Sequence, residues 1–294
     1  MILEKEGFLV LDKEAGMTSH DCVAIARRSL GMKKVGHAGT LDPMATGVLV
    51  LGFGNGTRLL QYITEGNKTY LATVVLGAAT VTDDQEGEII SRADTSALTD
   101  ESIRKTLGAM IGTIAQRPSS VSAVKIDGER AYDRVRAGEK VELPTRQVTI
   151  SQLDISRIER IDEQIHIDIE VTCSAGTYIR AIARDCGDTL EVGGHLSSLR
   201  RTRVGAFDIP KSISLAQLKD GDFTPLSLVD LAAQTFPVRN LGLDEVMELS
   251  FGRALTNNPS EEIYAAISSD NRLIALLANR EGRAKPISVF AAAN

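Results

Sequence analysis

The stretch over residues 36–59 constrains this chain more than any other. It reads Gly-His-Ala-Gly-Thr-Leu-Asp-Pro-Met-Ala-Thr-Gly, then Val-Leu-Val-Leu, then Gly-Phe-Gly-Asn-Gly-Thr-Arg-Leu. Asp42 precedes Pro43, and the residue before a proline is driven from the α region into extended or turn backbone. Gly36, Gly39 and Gly47 permit positive φ or the close approach of another backbone, which suits a loop wrapped around a substrate. The apolar run at 48–51 then reads as a buried strand behind that loop. One carboxylate is thus held on a turn tied to the core. A plain β-turn in which Asp42 caps nearby amides would use the same residue types.

Around this centre the chain mixes strand and helix signals. Residues 7–11 read as a strand, followed by a turn at 13–16. Thr18 or Ser19 can cap a helix through Leu30, with Asp21 in its first turn and Gly31 as its stop. A short helix spans 57–64, and residues 68–76, rich in β-branched types, form a strand with Tyr70 near its start. A strand tyrosine is ordinarily half-buried with its hydroxyl bonded. Residues 164–172 alternate without a break, as a half-buried antiparallel strand does, with His166 on the solvated face. After Cys-Ser-Ala-Gly-Thr-Tyr-Ile-Arg (173–180) a helix runs through Leu190, capped by Gly176 or Thr177. An arginine in the first turn of a helix opposes the helix dipole, so Arg180 calls for a fixed acidic partner unless it is simply a surface residue. Residues 193–203 read as turn and strand. From about Phe236 short strands such as 274–277, and a turn at Gly282, indicate a small β-rich module.

Composition excludes several classes. No apolar run approaches the roughly 18 residues needed to cross a bilayer, and the charged N-terminal stretch lacks a signal peptide's apolar region. Cys22, Cys173 and Cys186 are odd in number and lack CxxC spacing, which argues against a disulfide framework or a zinc site and for a reducing cytoplasm. Gly52, Gly54 and Gly56 invite a dinucleotide-loop reading, but Thr57 stands where its last glycine belongs and no Gly-Lys-Ser/Thr follows. No cofactor and no metal are expected. Glycoside hydrolysis wants a carboxylate pair, and a serine hydrolase wants a nucleophile elbow; neither is found. The net charge of −6 does not advertise nucleic-acid binding. Its distribution matters more: residues 82–101 hold seven acids against Arg92 and read as a solvated loop, whereas 22–58 hold five bases against Asp42. Phosphate contacts need such local positive charge, not a basic protein.

The central stretch resembles the signature GHxGxLDPxAxGxL of the TruB family of tRNA pseudouridine synthases, and the family's catalytic aspartate falls on Asp42. Tyr70 matches the family tyrosine that stacks on the target base. Within CSAGTYIR, the arginine that pairs with the aspartate maps onto Arg180. Leu199, with Arg200 and Arg201, matches the closing Leu-Arg-Arg segment that lines the uridine pocket. His37 and Tyr178 would shape the opened RNA loop. Residues 124–132, Val-Lys-Ile-Asp-Gly-Glu-Arg-Ala-Tyr, resemble another family motif; taken alone they read as a mixed-charge, ion-paired loop and helix. The resemblance places Lys125, Arg130, Arg134 and Arg136, with Arg200 and Arg201, near bound RNA. One departure is Glu14, where the family has a proline after lysine.

The resemblance implies an α+β fold with a mixed, largely antiparallel central sheet and flanking helices. It implies a synthase domain over 1–235, with an RNA-contacting insertion at about 112–146, and a C-terminal PUA-like RNA-binding domain over 236–294. It further implies a cytoplasmic monomer that meets the T-arm of tRNA and converts uridine 55 to pseudouridine, with an accessory role in tRNA folding. A loop target is physically sensible, because RNA sequence is read where bases can be splayed out. Two alternatives remain: a non-catalytic tRNA-binding or folding module, and a synthase acting on another RNA loop.

Overall fold

The computed structural model describes residues 6–119, 125–126, 129–130, 143–257 and 262–291. The first strands are β1 (Gly7–Lys13), β2 (Val35–His37), β3 (Thr46–Phe53), β4 (Lys68–Leu76), β5 (Ala78–Thr80) and β6 (Ile89–Arg92). They are followed by β7 (Gly112–Gln116), β8 (Lys125–Ile126), β9 (Glu129–Arg130), β10 (Arg146–Ile161), β11 (Gln164–Cys173), β12 (Gly194–Val204) and β13 (Phe207–Asp208). The last five are β14 (Val238–Leu241), β15 (Leu255–Thr256), β16 (Tyr264–Ser268), β17 (Leu273–Arg280) and β18 (Arg283–Val289). The helices are α1 (Ser19–Leu30), α2 (Leu60–Glu65), α3 (Asp100–Gly108), α4 (Ile179–Thr189), α5 (Leu215–Asp220), α6 (Leu228–Thr235) and α7 (Leu243–Ser250).

One large sheet runs β1-β3-β12-β4-β11-β10-β7, with β2 on β3 and β13 on β12. Only the β3–β12 pairing is parallel, so the sheet is mixed and largely antiparallel, with helices flanking it. A second sheet follows the order β14-β16-β17-β18-β15.

Covering explains the periodicities. Leu9, Leu11, Leu49 and Leu51 face one apolar cluster with α1, while Phe8, Val10, Val48 and Val50 face another. Strands β1 and β3 are therefore buried on both faces and read as continuous apolar runs. By contrast, β11 alternates buried and half-exposed positions because one face of the sheet is open there. Helix α1 starts at a Thr18–Asp21 capping box and ends at Gly31, whose φ is 62°.

Close approach requires glycine at several positions, two of them around β3. A Cβ at Gly47 would lie 2.1 Å from Arg201 O, where β12 crosses onto β3, and one at Gly56 would lie 2.4 Å from Gly7 O. The glycine cluster after β3 thus serves backbone packing in a short 3-10 turn over Gly54–Arg58.

The tail sheet shares a core with the large one. Ala265, Ile267, Leu273 and Leu276 join Phe8, Val10, Val48 and α6 in one cluster. Arg58 adds a hydrogen bond of 2.7 Å to Val289 O and lies 4.8 Å from the Phe290 ring centroid. A chain ended at residue 235 would uncover that cluster. We predict that it unfolds about 10 °C below the full-length chain, as a loss of a few kcal/mol implies; equal melting temperatures by calorimetry would contradict the shared core.

Candidate active site

Asp42 lies in the loop between β2 and β3, which is clamped from three sides. Leu41 N donates to Ser19 Oγ at 2.9 Å, fastening the loop to α1. Lys13 Nζ donates to Ala45 O at 2.6 Å and to Pro43 O at 3.2 Å. Arg201 donates to Gly39 O, Thr40 O and Val48 O at 3.0, 3.3 and 2.8 Å. Lys13 is 1% exposed, and burial pulls its ammonium below the usual lysine range despite nearby Cys22 and Asp42. Such carbonyl clamps hold a loop that has few ladder bonds of its own.

Arg180, in the first turn of α4, has the acidic partner that its dipole-opposing position demands. Its Nε lies 2.9 Å from Asp42 Oδ2, and its Nη1 lies 3.3 Å from Asp84 Oδ2 and donates to Thr82 O at 2.7 Å. The Arg180 side chain is 6% exposed and that of Asp84 5%, whereas the Asp42 side chain is 34% exposed and opens to the cavity. The cap of α4 is Tyr178, not Gly176 or Thr177; Thr177 Oγ1 instead donates to Ser174 O.

The cavity, of about 280 Å³, is lined by Asp42, Tyr70, Tyr178, Arg180 and Leu199 together with Lys68 and Arg201. Five residues picked out from distant parts of the sequence therefore meet on one wall. Burial raises the Tyr70 phenol above its usual range, opposed chiefly by Arg201 beside it, so the ring stays neutral. His37 stands on β2 instead, edge to face with His20 at 5.4 Å between ring centroids. Burial first, then His20, lowers its imidazole. Tyr178 is fixed by Gln116, whose Oε1 accepts from Tyr178 N at 2.8 Å and whose Nε2 donates to Tyr178 O at 3.1 Å.

Two expectations need correction. Arg201 is not a surface RNA contact: it is 1% exposed and spends its donors on loop carbonyls. The signal was present, since Arg201 shares strand parity with inward-facing Leu199. The acidic stretch is not a solvated loop throughout. Asp83 and Asp84 are 7% and 3% exposed, and Gln85 N and Leu196 N exchange backbone bonds with Leu196 O and Asp83 O at 2.8 and 3.0 Å. A run of acids looks solvated in sequence, and only the fold reveals that two of them face α4.

Arg200 is half-exposed and gripped by Asp12, at 3.0 Å (Nη1–Oδ1) and 2.7 Å (Nη2–Oδ2). Lys125 and Arg130 are opposed in register on the β8–β9 ribbon. Arg134 and Arg136 lie outside the described residues.

Comparison with known proteins identifies the family. The family model described as TruB family pseudouridylate synthase (N terminal domain) matches residues 27–179. Models described as tRNA pseudouridylate synthase B C-terminal domain and tRNA Pseudouridine synthase II, C terminal, match 180–224 and 236–291. The chain is 48% identical over 303 residues to tRNA pseudouridine synthase B of an Arthrobacter species, covering 98% of this chain and 97% of that protein. It is 50% identical over 285 residues to the protein of that name from Rhodococcus jostii, covering 96% and 93%. Among solved structures, a Cbf5-Nop10-Gar1 complex contains a chain with the same fold, at a TM-score of 0.74 and 24% identity, over 98% of this chain and 86% of that one.

Because Arg180 spans two carboxylates and a carbonyl, lysine cannot replace its planar fork. We predict that Arg180→Lys, and Asp84→Asn, each lower single-turnover rates about 100-fold, the scale of a misplaced reacting group. Near-normal rates in both would remove the shared arginine from the mechanism.

Proposed function

The chain belongs to the TruB family of pseudouridylate synthases, and from that premise we propose that its substrate is uridine 55 in the T-loop of tRNA. It isomerises uridine to pseudouridine in tRNA. The reaction cuts uracil from C1′ of the ribose, turns it and rejoins it through C5, with no net redox change and no hydrolysis. A cavity holding one exposed carboxylate on a clamped loop, beside a tyrosine face, is the observation that carries the reading.

The target base leaves its stack at a cost of a few kcal/mol. Tyr70 offers it an aromatic face and Leu199 walls the pocket. Asp42 acts as nucleophile or base, and Arg180 holds it aimed. His37 and Tyr178 shape the opened loop. The insertion, with Lys125, Arg130, Arg134 and Arg136, tracks the RNA backbone, as does the tail module from residue 236. The enzyme is a cytoplasmic monomer acting on the T-arm, with an accessory role in folding tRNA.

Asp42→Asn keeps the side chain's size and turn preference but loses its charge, so the loop should survive. We expect its turnover on unmodified tRNA to fall by several orders of magnitude, with tRNA affinity within about tenfold of the parent. Single-turnover assays with pseudouridine mapping, beside filter binding, measure both. Appreciable turnover in the variant would falsify Asp42 as the catalytic group, and product at a uridine outside the T-loop would overturn the substrate assignment.

A further inference from the structure

The charge balance of the cavity is not explained by the Asp42–Arg180 pair. Lys68 and Arg201 also line it, and they are 7% and 1% exposed. Lys68 Nζ donates to Thr64 O and Gly66 O, both at 2.6 Å. Arg201 donates to the carbonyls already described and hydrogen-bonds the Tyr70 hydroxyl. A Cβ placed on Gly39 would be 3.6 Å from Arg201 Nη1 and 3.7 Å from Lys68 Cε, so the two cations flank one residue of the Asp42 loop. Among the described residues neither has a carboxylate within ion-pair distance, while Asp42 and Asp84 are engaged by Arg180.

Capping the last carbonyls of α2 accounts for two of the three Lys68 donors. It does not account for burying the ammonium beside a second cation, because buried charge is costly unless compensated. A wall of unbalanced positive charge is suited to negative charge that arrives during a reaction.

We propose that Lys68, backed by Arg201, stabilises the negative charge that builds on the uracil ring as the C1′–N1 bond breaks. The inference rests on the pseudouridine synthase reading. The electron pair of that bond leaves with N1 and spreads over N1, O2 and O4. C1′ is left electron-poor until Asp42 bonds to it or takes a proton from C2′. After the ring turns, C5 bonds to C1′ as Asp42 leaves C1′ or returns its proton to C2′; H5 then leaves C5, N1 takes up a proton, and Asp42 is regenerated. Atoms and electrons balance without a co-reactant. The bound uracil is neutral at the start, so the ammonium acts chiefly on the transition state, in kcat and not in binding.

Burial first, then Arg201, pushes Lys68 down to about 8, with Cys173 opposing. The other groups facing it are Tyr70 and Cys173, both raised by burial, the Asp42–Arg180 pair, and exposed Glu65 at the end of α2. The charged form is present below about 8 and lost above it, so the rate should fall as pH rises through that value.

The test compares wild type, Lys68→Met and Lys68→Arg on one unmodified tRNA transcript, from neutral to alkaline pH. We expect the wild-type rate at subsaturating enzyme to decline above about pH 8. Lys68→Met should lose about 100-fold in the saturating rate, as for removal of one oxyanion donor, with tRNA affinity unchanged. Lys68→Arg should retain activity and move the alkaline decline upward, because arginine stays charged. The substrate's own titration is common to all arms. A Lys68→Met rate equal to wild type, or a decline at the same pH in Lys68→Arg as in wild type, overturns the proposal; the second comparison decides it even where the methionine variant does not fold. A wild-type protein that forms no pseudouridine would instead overturn the functional reading beneath it.

Discussion

A guanidinium buried on the first turn of α4 determines where the Asp42 carboxylate can be. Arg180 is removed from water and sits where the helix dipole opposes it, so its charge must be met by fixed acceptors. Asp84 and Thr82 O supply two of them from the loop after β5, leaving Nε directed at Asp42. Taking away one partner of such a buried pair costs about 3–5 kcal/mol, because the other charge is left uncompensated. The loop bearing Asp84 is in turn laced to β12 by backbone bonds at Leu196. Since β12 pairs with β4, the chain from Asp42 through Arg180 and Asp84 ends on the strand that carries Tyr70. Carboxylate and aromatic face are therefore placed by one continuous set of contacts.

The Asp42 loop meets this network already stiffened. Its carbonyls point toward Lys13 and Arg201, so cations, not a strand ladder, satisfy them. Gly47 lets β12 come close enough for Arg201 to reach under the loop, since any Cβ there would collide with Arg201 O. Loop rigidity and positive cavity charge thus have the same source. The residues that hold the loop also leave the pocket with more cations than carboxylates, which suits a reaction that generates an anion.

Much of this was legible in residue order, for reasons that differ by element. Strands β1 and β3 gave unbroken apolar runs because both faces are covered, and β11 alternated because one face is open. The α1 caps follow from local hydrogen bonding and needed no tertiary information. Arg180 drew attention because its charge was misplaced for a helix start, and the structure supplies the acids. Asp84 escaped notice inside an acidic run, where nothing local separates a buried carboxylate from a solvated one. Lys13 and Lys68 escaped for the complementary reason: lysine is normally a surface residue, and carbonyl clamps leave no motif. Arg201 was singled out as an RNA contact and not as a buried clamp, although its strand parity with Leu199 pointed inward.

Helix α4 joins the pocket to the segment that follows β7. Tyr178, at its cap, is held through both backbone groups by Gln116 at the end of β7. One turn beyond Arg180, Arg184 donates to Arg117 O at 2.7 Å and pairs with Asp83 at 3.2 Å. Neighbouring aspartates 83 and 84 therefore grip arginines one helical turn apart. The first arginine fixes Asp42 and the second fixes the chain at 117–118. A helix turn is stiff compared with a loop, since its geometry is set by backbone hydrogen bonds. The chain just after β7 is thereby tied to the position of the Asp42 carboxylate, although the two are some 75 residues apart in sequence. Four side chains on and around one helix provide that rigid link.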